Sequence, residues 1–89
     1  MARIYGSQGA LKMTVMSLDV VPEGSEARIV RIGGGRHVIM RLLAMGVTPG
    51  SLVRIISNKM HGPVVIEVRS VTIGIGRGIA RKILVEVIR

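Results

Sequence analysis

Isoleucine and valine are the residues that most constrain the fold of this chain. They make up 25 of its 43 apolar residues, in a sequence of 89 residues. Both side chains branch at Cβ, which restricts χ1 and favours a pleated strand over a helix. They occur in short runs separated by glycine and proline, which favour turns. The pattern therefore predicts a mainly β protein, and the length allows one small domain.

Five strands are predicted, at residues 26–32, 52–57, 64–69, 71–76 and 83–88. An α-helix is predicted between the first two strands, at residues 36–45, because Val38, Leu42 and Met45 recur at helical spacing and Gly46 follows as a helix-ending glycine. Few residues of this helix are polar, so we expect the sheet to cover most of it. A short helical turn at residues 78–81 precedes the last strand. Short strands must protect their edges, which favours a small SH3-like barrel with one helix.

Residues 1–12 follow neither a helical nor a strand period. We interpret them as a flexible arm, an alternative start ahead of Met13 or a remnant of recombinant expression, so that the domain spans residues 13–89. The longest uncharged run has 12 residues and contains glycine and proline, whereas a membrane span needs about 20 apolar residues. We expect a cytoplasmic monomer without membrane insertion.

The charge is strongly positive, with 13 Lys and Arg against five Asp and Glu, a net charge of +8. The cations are scattered along the chain, and Tyr5 is the single aromatic residue. Proteins that bind single-stranded nucleic acid usually stack bases on aromatic side chains. Nucleic acid is therefore an unlikely partner, although a basic SH3-like nucleic-acid-binding module stays open as an alternative.

One stretch of the sequence is specific: Arg-Leu-Leu-Ala-Met-Gly-Val-Thr-Pro-Gly at residues 41–50. It is supported by Pro-Glu-Gly at 22–24, the strand at 27–32, and Ala-Arg-Lys-Ile-Leu-Val at 80–85. Together these stretches resemble the FeoA family of ferrous iron transport proteins. Two positions depart from the family pattern: Ser70 stands where a turn glycine is usual, and Ile79 stands where an acidic residue is usual.

The resemblance implies an SH3-like fold, in agreement with the element order. It also implies a non-enzymatic, cytoplasmic accessory protein of bacterial ferrous iron uptake, which binds the FeoB membrane transporter and regulates or assembles it. A second alternative is a small chaperone that carries Fe(II).

The side chains offer little chemistry for catalysis or for holding a cofactor. There is no cysteine, and the two histidines, His37 and His61, form no close pair with each other or with an acidic residue in the sequence. The three glycines at 33–35 lack the lysine and hydroxyl residue of a phosphate loop, so we interpret them as a flexible connection into the helix. We therefore predict no catalytic site, no metal site and no cofactor.

A protein-binding surface is then the expected functional feature. Gly74 and Gly76 would leave a shallow channel on the outer side of their strand, where another backbone could approach. Methionine adapts to irregular apolar partners, and arginine pairs with acidic ones. The predicted partner-binding residues are Met40, Arg41, Met45, Val47, Gly74, Gly76 and Arg77.

Overall fold

The computed structural model describes residues 14–89, which form six strands, two helices and one 3₁₀ turn. The interpretation of residues 1–12 lies outside the described residues. In chain order the elements are β1 (Thr14–Ser17), a 3₁₀ turn (Leu18–Val20), β2 (Glu26–Ile32), α1 (Arg36–Ala44), β3 (Leu52–Asn58), β4 (Val64–Val68), β5 (Val71–Ile75), α2 (Arg77–Ala80) and β6 (Ile83–Val87).

All strand pairs are antiparallel, and the strands lie in the order β1-β6-β2-β3-β4-β5. The predicted SH3-like, mainly β fold is confirmed, with a sixth strand that the sequence did not indicate. That strand, β1, lies along β6, where Thr14 faces Val87 and Ser17 faces Leu84. Four residues are too few for a recognisable alternation, so β1 is determined by its pairing with the distant end of the chain.

Most of the core consists of inward-facing side chains from the strands, and Leu18, Val21, Leu42, Val47 and Ala80 join it from the turns and helices. Strand β4 alternates as predicted, with Val64, Ile66 and Val68 buried. On β5, Ile73 and Ile75 are buried, but Val71 is exposed, contrary to the expected alternation. Val71 is exposed because it directly follows the two-residue turn that joins β4 to β5, at the end of the sheet.

Helix α1 is much less covered than the sequence predicted. Leu42 is its one buried residue, and Val38 packs partly against the core. Met40 and Leu43 keep 57% and 50% of their surface exposed, respectively. The prediction of a covered helix was wrong because only one side of the helix, at Leu42 and Val38, meets the core, and its other apolar side chains face away from it.

The connection after α1 follows the predicted turn chemistry. Gly46 has φ of 85°, as expected for the glycine that ends a helix, and its N–H donates to the carbonyl of Leu43 at 2.9 Å. Gly50 has φ of 95° in the following turn, which is closed by a 2.9 Å bond from Ser51 N–H to the Thr48 carbonyl. These turns bring the chain from the helix back into the sheet.

Candidate docking groove

A shallow groove runs between α1 and the segment where β5 passes into α2. We call it the α1–β5 groove. It is lined by Val38, Arg41, Leu42, Met45, Gly74, Ile75, Gly76 and Ile79. Four of the predicted partner-binding residues, which are up to 35 positions apart in the sequence, therefore lie around one concavity: Arg41, Met45, Gly74 and Gly76.

The two glycines keep this groove open, and the fold does not require them to be glycine. A Cβ built on Gly76 would meet no heavy atom within 4 Å, and a Cβ on Gly74 would lie in ordinary contact with Pro63 at 3.8 Å. Neither residue has the positive φ that makes glycine necessary. The missing side chains leave space on the outside of the domain and do not relieve crowding within it.

The size of the groove suits a side chain better than a cofactor. It encloses about 90 Å³ of free space, whereas sites for small-molecule ligands usually have about 300 Å³ or more. Five of its eight lining residues have apolar side chains, and the exposed guanidinium of Arg41 has no ion pair within residues 14–89. The groove can therefore accept one apolar side chain next to an acidic group.

The other three predicted residues lie elsewhere. Met40 is exposed on α1 but does not line the groove. Val47 is fully buried in the core, so its assignment to a partner surface was wrong. Its N–H donates to the Leu42 carbonyl at 2.8 Å as the chain turns inward after the helix, which places the side chain among core residues.

Arg77 points away from the groove and into a network that sequence reasoning did not find. Its Nη2 donates to Asn58 Oδ1 at 2.6 Å, and its Nη1 donates to the Asp19 carbonyl at 3.3 Å. Asn58 in turn donates through Nδ2 to the carbonyls of Asp19 and Val21, at 3.0 and 2.7 Å. This network joins the 3₁₀ turn, the end of β3 and α2, so Arg77 serves as an internal brace and not as a free charge.

The carboxylate of Glu23, at the surface, contacts the backbone of the same Asn58. Glu23 Oε2 accepts a hydrogen bond from the backbone N–H of Asn58 at 2.7 Å and forms an ion pair with Lys59 at 3.1 Å. The bond from the Asn58 N–H, followed by the bond from Lys59, holds the pKa of Glu23 below its ordinary value of 4.5. The Glu23 carboxylate therefore helps to hold the segment that precedes β2 against the end of β3.

The candidate metal ligands stay apart. Within residues 14–89, no three histidine, cysteine or acidic side chains come together at a position that could hold an ion. His37 and His61 are both exposed, on α1 and in the β3–β4 loop. The glycine loop at 33–35 is held by a 2.7 Å bond from Gly33 N–H to the Lys82 carbonyl, as a connection between β2 and α1. None of the helices in the described part of the chain is long and apolar enough to cross a bilayer.

The fold and the groove define a small SH3-like domain with a shallow concavity beside helix α1. Residues 16–87 match the family model of the FeoA domain. The chain belongs to the FeoA family, the family of ferrous iron transport protein A, as the residues at 41–50 led us to expect.

Individual relatives agree with this assignment. The chain is 42% identical over 64 residues to "Putative Fe(2+) transport protein A" of Methanocaldococcus jannaschii, across 72% of this chain and 77% of that protein. It is similar to the crystal structure of an iron uptake regulatory protein, FeoA, with a TM-score of 0.79 and 31% identity, across 84% of this chain and 100% of that one. A manganese-dependent transcriptional repressor shares the fold, with a TM-score of 0.77 and 18% identity, over 86% of this chain and 44% of that one.

Proposed function

We propose that this protein is a non-enzymatic, cytoplasmic accessory protein of ferrous iron uptake, which docks on the cytoplasmic part of a FeoB-type transporter and regulates or assembles it. The membership in the FeoA family supports the link to ferrous iron transport. The observation that carries the docking proposal is the α1–β5 groove. Gly74 and Gly76 leave it open, although the fold has room for a side chain at both positions.

The groove indicates what kind of segment would bind. Strand β5 lies at one end of the sheet and pairs only with β4, so its other edge has no strand partner among residues 14–89. An extended segment can approach such an edge closely where Gly74 and Gly76 carry no side chains. We expect this segment to place one apolar side chain against Met45 and Ile79, and one carboxylate near Arg41.

The test uses the full chain and a full-length FeoB-type transporter reconstituted in lipid nanodiscs. The informative variant is Gly76→Leu, which fills the groove. Its matched control is Gly78→Leu, because Gly78 also has open space around its Cβ position and no positive φ, but lies outside the groove. A second variant, Arg41→Glu, reverses the free charge.

We expect Gly76→Leu and Arg41→Glu to weaken binding to the transporter at least tenfold, with Gly78→Leu close to the parent protein. Circular dichroism checks that each variant is folded. Equal affinities for Gly76→Leu and Gly78→Leu would show that the groove is not the docking site. The absence of any binding by the parent protein would refute the docking proposal itself.

A further inference from the structure

The charged residues of this domain are distributed very unevenly. Residues 27–66 contain six Lys and Arg and not one Asp or Glu. Four of the five acidic residues form ion pairs with cations, and these pairs involve Arg28, Arg54, Lys59, Arg81 and Arg89. The cations around α1 have no such partner within residues 14–89, so this side of the molecule carries uncompensated positive charge.

Three of these unpaired cations surround the loop that leads from β2 into α1. Arg31 is the second-last residue of β2, and Arg36 is the first residue of α1. Lys82 packs against the loop. Its carbonyl accepts a hydrogen bond from the Gly33 N–H at 2.7 Å, and its Cδ would lie 3.2 Å from a Cβ built on Gly34. We call these three residues, Arg31, Arg36 and Lys82, the basic cluster.

The exposed face of α1 next to the basic cluster is apolar. Ile39, Met40 and Leu43 are all exposed, and none of them lines the α1–β5 groove. Met40 and Leu43 follow Arg36 by four and seven residues, which puts all three on one face of the helix. We call Ile39, Met40 and Leu43 the apolar ridge.

We infer that the apolar ridge and the basic cluster together bind the surface of an anionic lipid bilayer. Apolar side chains beside cations are the pattern by which a helix lies at the boundary between lipid headgroups and acyl chains. The long side chains of Arg31, Arg36 and Lys82 can reach lipid phosphates while the ridge enters the headgroup region. A fluid bilayer can deform around these exposed side chains, whereas a folded acidic protein would have to provide a matching surface. The inference concerns a different face from the groove and does not depend on the proposed transporter partner.

Vesicle co-sedimentation of the full chain tests this inference. The probes are vesicles of phosphatidylcholine alone and vesicles of phosphatidylcholine with added phosphatidylglycerol. Two variants have matched controls on other parts of the surface: Met40→Gln is paired with Met60→Gln, and Arg36→Gln with Arg69→Gln. Met60 and Arg69 are both exposed, in the β3–β4 loop and at the β4–β5 turn, and Arg69 has no ion pair within the described residues.

We expect binding to the anionic vesicles that weakens with salt, and little binding to phosphatidylcholine alone. One cation near an anionic surface changes partitioning by about fivefold, so Arg36→Gln should weaken binding by about that factor, and Met40→Gln by a similar one. Met60→Gln and Arg69→Gln should have little effect. The groove variant Gly76→Leu should sediment like the parent protein, which separates this result from the transporter experiment.

Three results would overturn the inference. The first is no sedimentation with anionic vesicles at low salt. The second is an equal effect of each variant and its control, which would indicate attraction by net charge alone. The third is binding to polyglutamate that exceeds binding to the vesicles and depends on Met40 and Arg36, which would identify an acidic polypeptide as the partner of this face.

Discussion

Replacement of Asn58 by alanine tests a side chain that makes three hydrogen bonds. The amide accepts one hydrogen bond from the charged Arg77 and donates two, to the carbonyls of Asp19 and Val21. A neutral hydrogen bond contributes about 1 kcal/mol and one to a charged group about 1.5 kcal/mol or more. Because these contacts are half-buried, we expect Asn58→Ala to lower the free energy of unfolding by about 3 kcal/mol. This is a large fraction of the roughly 5–13 kcal/mol that a domain of this length has.

Urea unfolding followed by far-ultraviolet circular dichroism measures this loss. The melting temperature should fall in parallel, by about 4–8 °C for each kcal/mol. Lys59→Ala is the control, since Lys59 is adjacent to Asn58 but its ion pair with Glu23 is exposed to solvent, where water and salt screen it. If Asn58→Ala were no more destabilising than Lys59→Ala, the network would not brace the fold as argued.

Three further predictions concern single side chains. Val47→Ala removes two buried carbon atoms and should lower the unfolding free energy by about 2 kcal/mol in the same urea titration, which a surface residue would not do. Ser70 has φ of 67°, which is strained for any residue except glycine, so Ser70→Gly should raise the free energy of unfolding by roughly 0.5–1 kcal/mol and the melting temperature by a few degrees. Gly46→Ala introduces the same strain at φ of 85° and should lower the melting temperature. The pKa of Glu23 is lowered by the Asn58 N–H, so its carboxylate stabilises the fold at neutral pH, and this stabilisation is lost as the pH falls through the lowered pKa. Glu23→Gln should therefore flatten the acid limb of a plot of stability against pH, and an unchanged limb would contradict this account.

The candidate groove was only partly predictable from the sequence. Gly74 and Gly76 could be placed on the outer side of one strand because a strand alternates with a period of two. Arg41 and Met45 could be placed on a helix. That the helix lies beside those glycines depends on how the chain packs, and nothing local in residues 36–76 encodes it. The same limit explains Arg77, whose guanidinium is held by Asn58, a residue 19 positions earlier.

Elements with local signals could be predicted from the amino-acid sequence alone. The β-branched runs gave β2 to β6, and the turn residues Gly46 and Gly50 ended α1 and started β3 because positive φ favours glycine. Three features are set by tertiary packing: the pairing of β1 with β6, the exposure of the outer face of α1 and the burial of Val47. These depend on which surfaces meet when a small core closes. An apolar residue has the same identity in the sequence whether it packs inward or faces solvent, so its environment is set by residues distant along the chain.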